Sequence, residues 1–287
     1  METLRTLDGQ TLKLHLWPAA GAVRGTVQIV HGLGEHGGRY GHVATTLNAA
    51  GWHVAAHDLR GHGLSSGKRG RLADSHAFMA DLALVHDDLQ QRWPGGARVL
   101  LGHSMGGLIA SRFAAEGLAK APAPWYRPFD ALVMSSPALD LGMNGFQQFL
   151  LAVLGPIAPN LGLSNGLKPE WICRDPAVVK AYVNDPLVHD RVSPRLVRFM
   201  SDGGQHVLQR APRWSLPTLL LWAGADRCVA PAGSARFAAS TVTAPQSAVT
   251  AHEYPGLAHE IFNEPEQAQV LQRLADWLQR FPTKERP

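Results

Sequence analysis

A serine attacks an acyl carbon only when a base takes its proton, and the base serves only when something fixes its tautomer. Ser104 lies in Gly102-His103-Ser104-Met105-Gly106, a G-x-S-x-G pattern. In that pattern the serine of a sharp strand-to-helix turn exposes its hydroxyl at the top of a sheet. Glycine and serine are common in ordinary turns, so the pattern needs partners. Asp226 follows the apolar run 218–222, and His259 follows the run 248–254. The order serine, aspartate, histidine is the one that accompanies this turn. Read together, Ser104, Asp226 and His259 are a nucleophile, a tautomer-fixing carboxylate and a general base. His103 is expected to point away from the hydroxyl, because neighbouring side chains diverge at such a turn.

A tetrahedral intermediate also needs donors for its oxyanion. The glycine-rich loop from His31 to Gly38 follows a core strand and offers the Leu33 N–H, and the residue after the serine, Met105, offers a second. The same loop reads as Gly32-x-Gly34-x-x-Gly37, with Asp58 closing the next strand, which is the spacing of a dinucleotide-binding turn. That rival is disfavoured: Glu35 and His36 sit where a pyrophosphate would lie, and it leaves Ser104 unexplained. With 14 histidines in the chain, groupings such as His31, His36, His57 and His62 arise by chance, and no metal site is expected. Arg60 and Asp58 are expected to brace their loop.

The elements that must position these residues alternate. A hairpin around Asp8-Gly9 is followed by strand and helix patterns through residue 134, with Val99 to Leu101 before Ser104 and Leu108, Ile109 and Phe113 after it. From about residue 138 to 212 the alternation stops. Phe146, Phe149, Leu150, Val153 and Leu154 mark a dense apolar helix there, and Asp175-Pro176 opens another. Order resumes at 218, and the chain closes with a helix striped by Val270, Leu271, Leu274, Trp277 and Leu278, with Asn263 and Glu266 resembling a capping box. The expectation is a mostly parallel α/β sheet flanked by helices, its core in residues 1–137 and 213–287, with a helical cap inserted at 138–212. Phe146, Phe149, Leu150 and Val153 are the cap residues expected to line a substrate pocket.

Composition narrows the function. The chain has 287 residues, 45% of them hydrophobic, and a net charge of +4 without a basic run, so it can bury a full core and is a poor nucleic-acid binder. Two cysteines make no disulfide framework. With no apolar leader at the N-terminus and no run long enough to span a bilayer, a cytoplasmic location is expected. The apolar cap leaves room for transient contact with a membrane surface.

The motifs together are specific. HGLGEHGGRY (31–40), HDLRGHGLSSGKRG (57–70), GHSMGG (102–107), ADR (225–227) and HE (259–260) resemble monoacylglycerol lipases and their lysophospholipase-like relatives, as does RDPAVVKAYVNDPLVH (174–189) in the cap. The resemblance implies an α/β-hydrolase fold with a helical cap and a serine esterase that needs no cofactor. It also implies Ser104, Asp226 and His259 as triad, Leu33 and Met105 at the oxyanion hole, and a lipid or small-molecule ester as substrate. A short-chain esterase or thioesterase of the same mechanism, and a ligand receptor that keeps the fold without turnover, are the alternatives.

Overall fold

The alternating run at the N-terminus forms a hairpin of β1 (Thr3–Arg5) and β2 (Thr11–Trp17), closed by Gly9 at φ +81°. A computed structural model describes residues 2–242 and 248–283. The chain continues as β3 (Gly25–Val30), α1 (Gly41–Ala49), β4 (Trp52–His57), α2 (Ala77–Arg92), β5 (Ala97–His103), α3 (Met105–Ala115) and β6 (Ala131–Ser135). It then leaves the sheet through α4 (Gly145–Ile157), β7 (Leu163–Ser164), α5 (Pro176–Asn184), β8 (Arg191–Val192) and α6 (Pro194–Arg210). It returns as β9 (Thr218–Ala223), α7 (Pro231–Val242), β10 (Val249–Tyr254) and α8 (Gln267–Leu278).

Eight strands form one sheet in the order β1-β2-β4-β3-β5-β6-β9-β10. Every pairing from β4 to β10 is parallel, and the hairpin joins antiparallel at β2–β4. Strands buried on both faces need apolar residues at odd and even positions alike. Along β5, Leu100 packs with α2 and α3 residues such as Phe78 and Phe113, whereas Val99 and Leu101 pack with Val43 of α1 and Leu274 of α8. Parallel strands carry their C-terminal loops to one edge, and that edge receives residues 31–38, 104 and 226, and the loop after β10.

The inserted segment is of two kinds. Helix α6 buries Leu196, Met200 and Val207 in the cluster that holds α3, whereas α4 and α5 bury no residue fully. At the far end, α8 starts later than a capping box would place it: Glu266 is its N-cap and makes no side-chain cap bond. The side chains near that end have other partners, Asn263 donating to Glu260 Oε2 at 2.7 Å and Glu264 accepting from Arg174.

Candidate active site

The turn at Ser104 is strained. Its φ is +55° and ψ −122°, a conformation costing about 1–3 kcal/mol that persists only where surroundings impose it. Three backbone bonds do so: Ser104 N–H donates to Ser135 O at 2.9 Å, and Leu108 and Ala138 N–H both donate to Ser104 O at 3.0 Å. The flanking glycines are close approaches. A Cβ on Gly102 would lie 2.3 Å from Gly106 O, and one on Gly106 would lie 2.0 Å from Val30 O. The crossing of β5 and α3 is thus sealed on one side and pressed against the end of β3 on the other.

His259 Nδ1 stands 2.6 Å from Asp226 Oδ2, and both side chains are buried. The ring donates Nδ1–H to the carboxylate, which leaves Nε2 as the basic nitrogen. Asp226 Oδ1 accepts from the N–H groups of Cys228 at 2.8 Å and Val229 at 3.1 Å. Burial alone would raise the Asp226 pKa, but His259 and those two donors hold it below the usual carboxylate value. For His259, burial pushes toward the neutral form, and the carboxylates of Asp226, Glu260 and Glu35 outweigh it, so its pKa lies above 6.5.

Leu33 and Met105 share a cavity wall with Ser104. Among the described residues, the Leu33 N–H donates to no protein acceptor, and the Met105 N–H belongs to the first turn of α3, where donors lack intrahelical partners. The Gly32 N–H is already taken by Glu35 Oε1 at 2.6 Å. Two donors are therefore free near the serine, and the Gly32 N–H is structural.

Ser104 sits where two cavities meet. One, of about 330 Å³, is lined by Glu35, Tyr182, Asp185, His189, His259 and Glu260, among others. The other, of about 530 Å³, is lined by Met105, Leu141, Leu151, Leu154, Val197 and Met200, among others. Of the four cap residues expected at a pocket, Leu150 lines the larger cavity. Phe146, Phe149 and Val153 do not, and this corrects the expectation: they are 68%, 62% and 41% exposed. Helix α4 is apolar on both faces: the 3.6-residue period sets Gln147, Leu151 and Leu154 toward the larger cavity and Phe146, Phe149, Val153 and Ile157 outward, with Leu150, 38% exposed, on the border between the two stripes.

Other expectations also change in detail. The His103 ring lies 4.8 Å from that of His259 and lines the smaller cavity beside it; its Nδ1 is 3.0 Å from Ser135 Oγ. Burial pushes the His103 pKa down to about 4, so the ring is neutral near pH 7. Arg227 also lines the larger cavity, its guanidinium 4.8 Å from the Trp171 ring centroid. Its place in the ADR motif at 225–227 was its signal in the sequence.

Asp58 and Arg60 brace their loops as expected, Asp58 accepting from His15 and Gly37 at 2.8 Å and Arg60 pairing with Asp81 and Asp8. The ligand atoms of His15, His36 and Asp58 cluster, as do those of Asp226, Cys228 and His259. In the first group the carboxylate is satisfied by protein donors and His36 Nε2 by Asp185 at 2.9 Å. In the second, Asp226 and His259 are bonded to each other. Both groups have an account without an ion.

Residues 21–266 match the hydrolase family described as serine aminopeptidase, S33. A monoacylglycerol lipase of Mycolicibacterium smegmatis is 37% identical over 95% of this chain and 94% of its own. The crystal structure of Paleococcus ferrophilus monoacylglycerol lipase superposes with a TM-score of 0.80 at 36% identity, covering 94% of this chain and 99% of that one. A soluble variant of Saccharomyces cerevisiae monoglyceride lipase, solved with a substrate analogue, shares the fold at a TM-score of 0.84 and 23% identity, over 99% of this chain and 96% of that one.

Proposed function

We infer the function from the premise that this chain belongs to the serine aminopeptidase S33 family of hydrolases: it is a serine hydrolase of the α/β-hydrolase fold. We propose that it cleaves monoacylglycerol-like lipid monoesters, with Ser104 as nucleophile, His259 as base and Asp226 as the group that holds the base. In this reading neutral His259 takes the Ser104 proton as Oγ attacks the ester carbon, and the oxyanion is held by the N–H groups of Leu33 and Met105. His259 then returns the proton to the departing alcohol, and water repeats the sequence on the acyl-enzyme. No step calls for a cofactor.

The observation that carries the substrate reading is the position of Ser104 between two cavities, both mostly apolar, of which the smaller has Glu35, Asp185, Asp190 and Glu260 in its lining and the larger has no acidic residue. The aliphatic one suits an acyl chain, each buried methylene gaining about 0.8 kcal/mol. The one lined by Glu35, Tyr182, Asp185 and His189 suits a hydroxyl-rich alcohol. The 138–212 insertion acts as the cap over both. The outward stripe of Phe146, Phe149, Val153 and Ile157 is read as a surface that touches lipid while substrate passes, since a patch of exposed large apolar side chains marks such contacts. Among the described residues no helix is long and apolar enough to cross a membrane, so the contact would be peripheral. Cys173 and Cys228 are free thiols, which suits a cytoplasmic enzyme.

Specific rates on monoacylglycerols of increasing chain length, lysophospholipids, acetate esters and acyl thioesters test this reading. The expected result is a rate that climbs with chain length on monoacylglycerols and then falls once the cavity is full. Acetate esters or thioesters outpacing every longer oxygen ester would replace it with the short-chain or thioesterase reading.

A further inference from the structure

Beside the five residues used above runs a buried ionic chain that the reaction scheme leaves without a role. Glu35 is two residues beyond Leu33, Glu260 follows His259, and Arg39 stands between them. Arg39 Nη1 donates to Glu35 Oε2 and to Glu260 Oε1, each at 2.7 Å, and Nη2 donates to Glu260 Oε2 at 2.7 Å. The far oxygen of Glu35 accepts from the Gly32 N–H at 2.6 Å and the Tyr40 hydroxyl at 2.8 Å. Glu260 accepts from Asn263 at 2.7 Å, and its own N–H donates to Ile172 O at 2.7 Å. The Arg39 guanidinium lies 4.9 Å from the centroid of the Tyr182 ring, in α5.

Stability is a weak reason for such a chain. Two buried carboxylates and a largely covered guanidinium cost as much to desolvate as they recover, and apolar side chains of equal volume often do as well. What apolar side chains do not supply is a fixed distance and orientation, and a two-pronged arginine–carboxylate contact supplies both. This contact joins two loops 221 residues apart in sequence. One carries the Leu33 N–H and the other His259.

We propose that Glu260 is a positioning residue: gripped by Arg39, it locks the loop of the base in register with the loop of the oxyanion donor, so that His259 and the Leu33 N–H address one serine. The proposal rests on the triad reading given above. It also has an electrostatic signature. The groups around His259 are Asp226, Glu260 and Glu35, the neutral ring of His103 and the Cys228 thiol, with the cation Arg39 one bond further out on the two glutamates. Neutralising Glu260 removes a charge that favours the protonated base, so the acid limb of the rate moves to lower pH. Neutralising Arg39 leaves two carboxylates uncompensated, and the limb moves to higher pH. Loss of packing alone does not move the limb in opposite directions.

The test is kcat and KM against pH on a soluble ester for wild type, Glu260→Gln, Arg39→Gln, the double variant and Ser104→Ala, with thermal unfolding of each. Glu260→Gln is expected to lose roughly 10- to 100-fold in kcat, the scale of a misplaced catalytic group, with little change in KM. The limbs should move oppositely in the two single variants, and the double variant should be no slower than the poorer single. Wild-type kcat in Glu260→Gln, or losses that add while both limbs stay put, overturns the proposal. If Glu260→Gln does not fold, Glu260→Asp replaces it; this keeps the charge but shortens the reach, so kcat should fall while the limb holds, and an unchanged kcat overturns the idea. Turnover surviving in Ser104→Ala would instead remove the triad reading, and the proposal with it.

Discussion

Helices α3 and α4 are both rich in apolar residues, yet nine residues of α3 are fully buried and none of α4. Helix α3 begins at the strained serine and is enclosed by β3, β5, β6 and α6, with Gly106 and Gly107 letting backbone approach backbone. Helix α4 is held mainly by α6, one stripe turned to the larger cavity and the other to the surroundings. Apolar composition therefore says that a helix will shed water without saying against what. Where neighbouring backbone closes in, the helix becomes a fixed floor. Where only one side has a partner, it becomes a roof, which under the proposed function meets an acyl chain below and a lipid surface above.

If that contrast is right, substitutions should hurt most where the floor is tightest. Gly106→Val places side-chain atoms where Val30 O already lies 2.0 Å from an added Cβ. The backbone must move, and either no folded protein accumulates or kcat falls by roughly 100-fold or more, checked by circular dichroism and steady-state kinetics. On the roof, the paired change Phe146→Ser and Phe149→Ser should leave unfolding within about 0.5 kcal/mol of wild type, as surface changes do. Rates on a soluble short ester should also hold, while activity on vesicle-borne monoacylglycerol falls several-fold. A loss of equal size on both substrates would show that these two phenylalanines serve the site itself, and the distinction between floor and roof would break.

The same contrast explains what the sequence could tell. Strands buried on both faces write themselves as unbroken apolar runs, and the residues after two of them, Ser104 and Asp226, stand out because a parallel sheet sends such ends to one edge. His259 follows β10, a half-exposed edge strand without such a run, and was legible only through the order serine, aspartate, histidine. The two stripes of α4 were not legible: Phe146 and Leu154 are alike in chemistry, and only the neighbours that partly cover Leu154 tell them apart. Arg39 and Glu260 carry no local pattern that pairs them. Asn263 looked like a capping residue because its type and spacing fit, but Glu260 holds its side chain.

The most direct test of the account is the reaction of Ser104 with a fluorophosphonate, followed by peptide mass spectrometry and by its rate as pH rises. A serine made nucleophilic by His259 should take one label at Ser104, and the rate should climb through a single acid limb lying above about 6.5, since the carboxylates around the imidazole outweigh its burial and it must be neutral to act. Ser104→Ala should take none, and Asp226→Asn, which disturbs the tautomer, should be slowed by roughly a thousandfold or more. Undiminished labelling of Ser104→Ala, or an Asp226→Asn variant that reacts like wild type, would contradict the account.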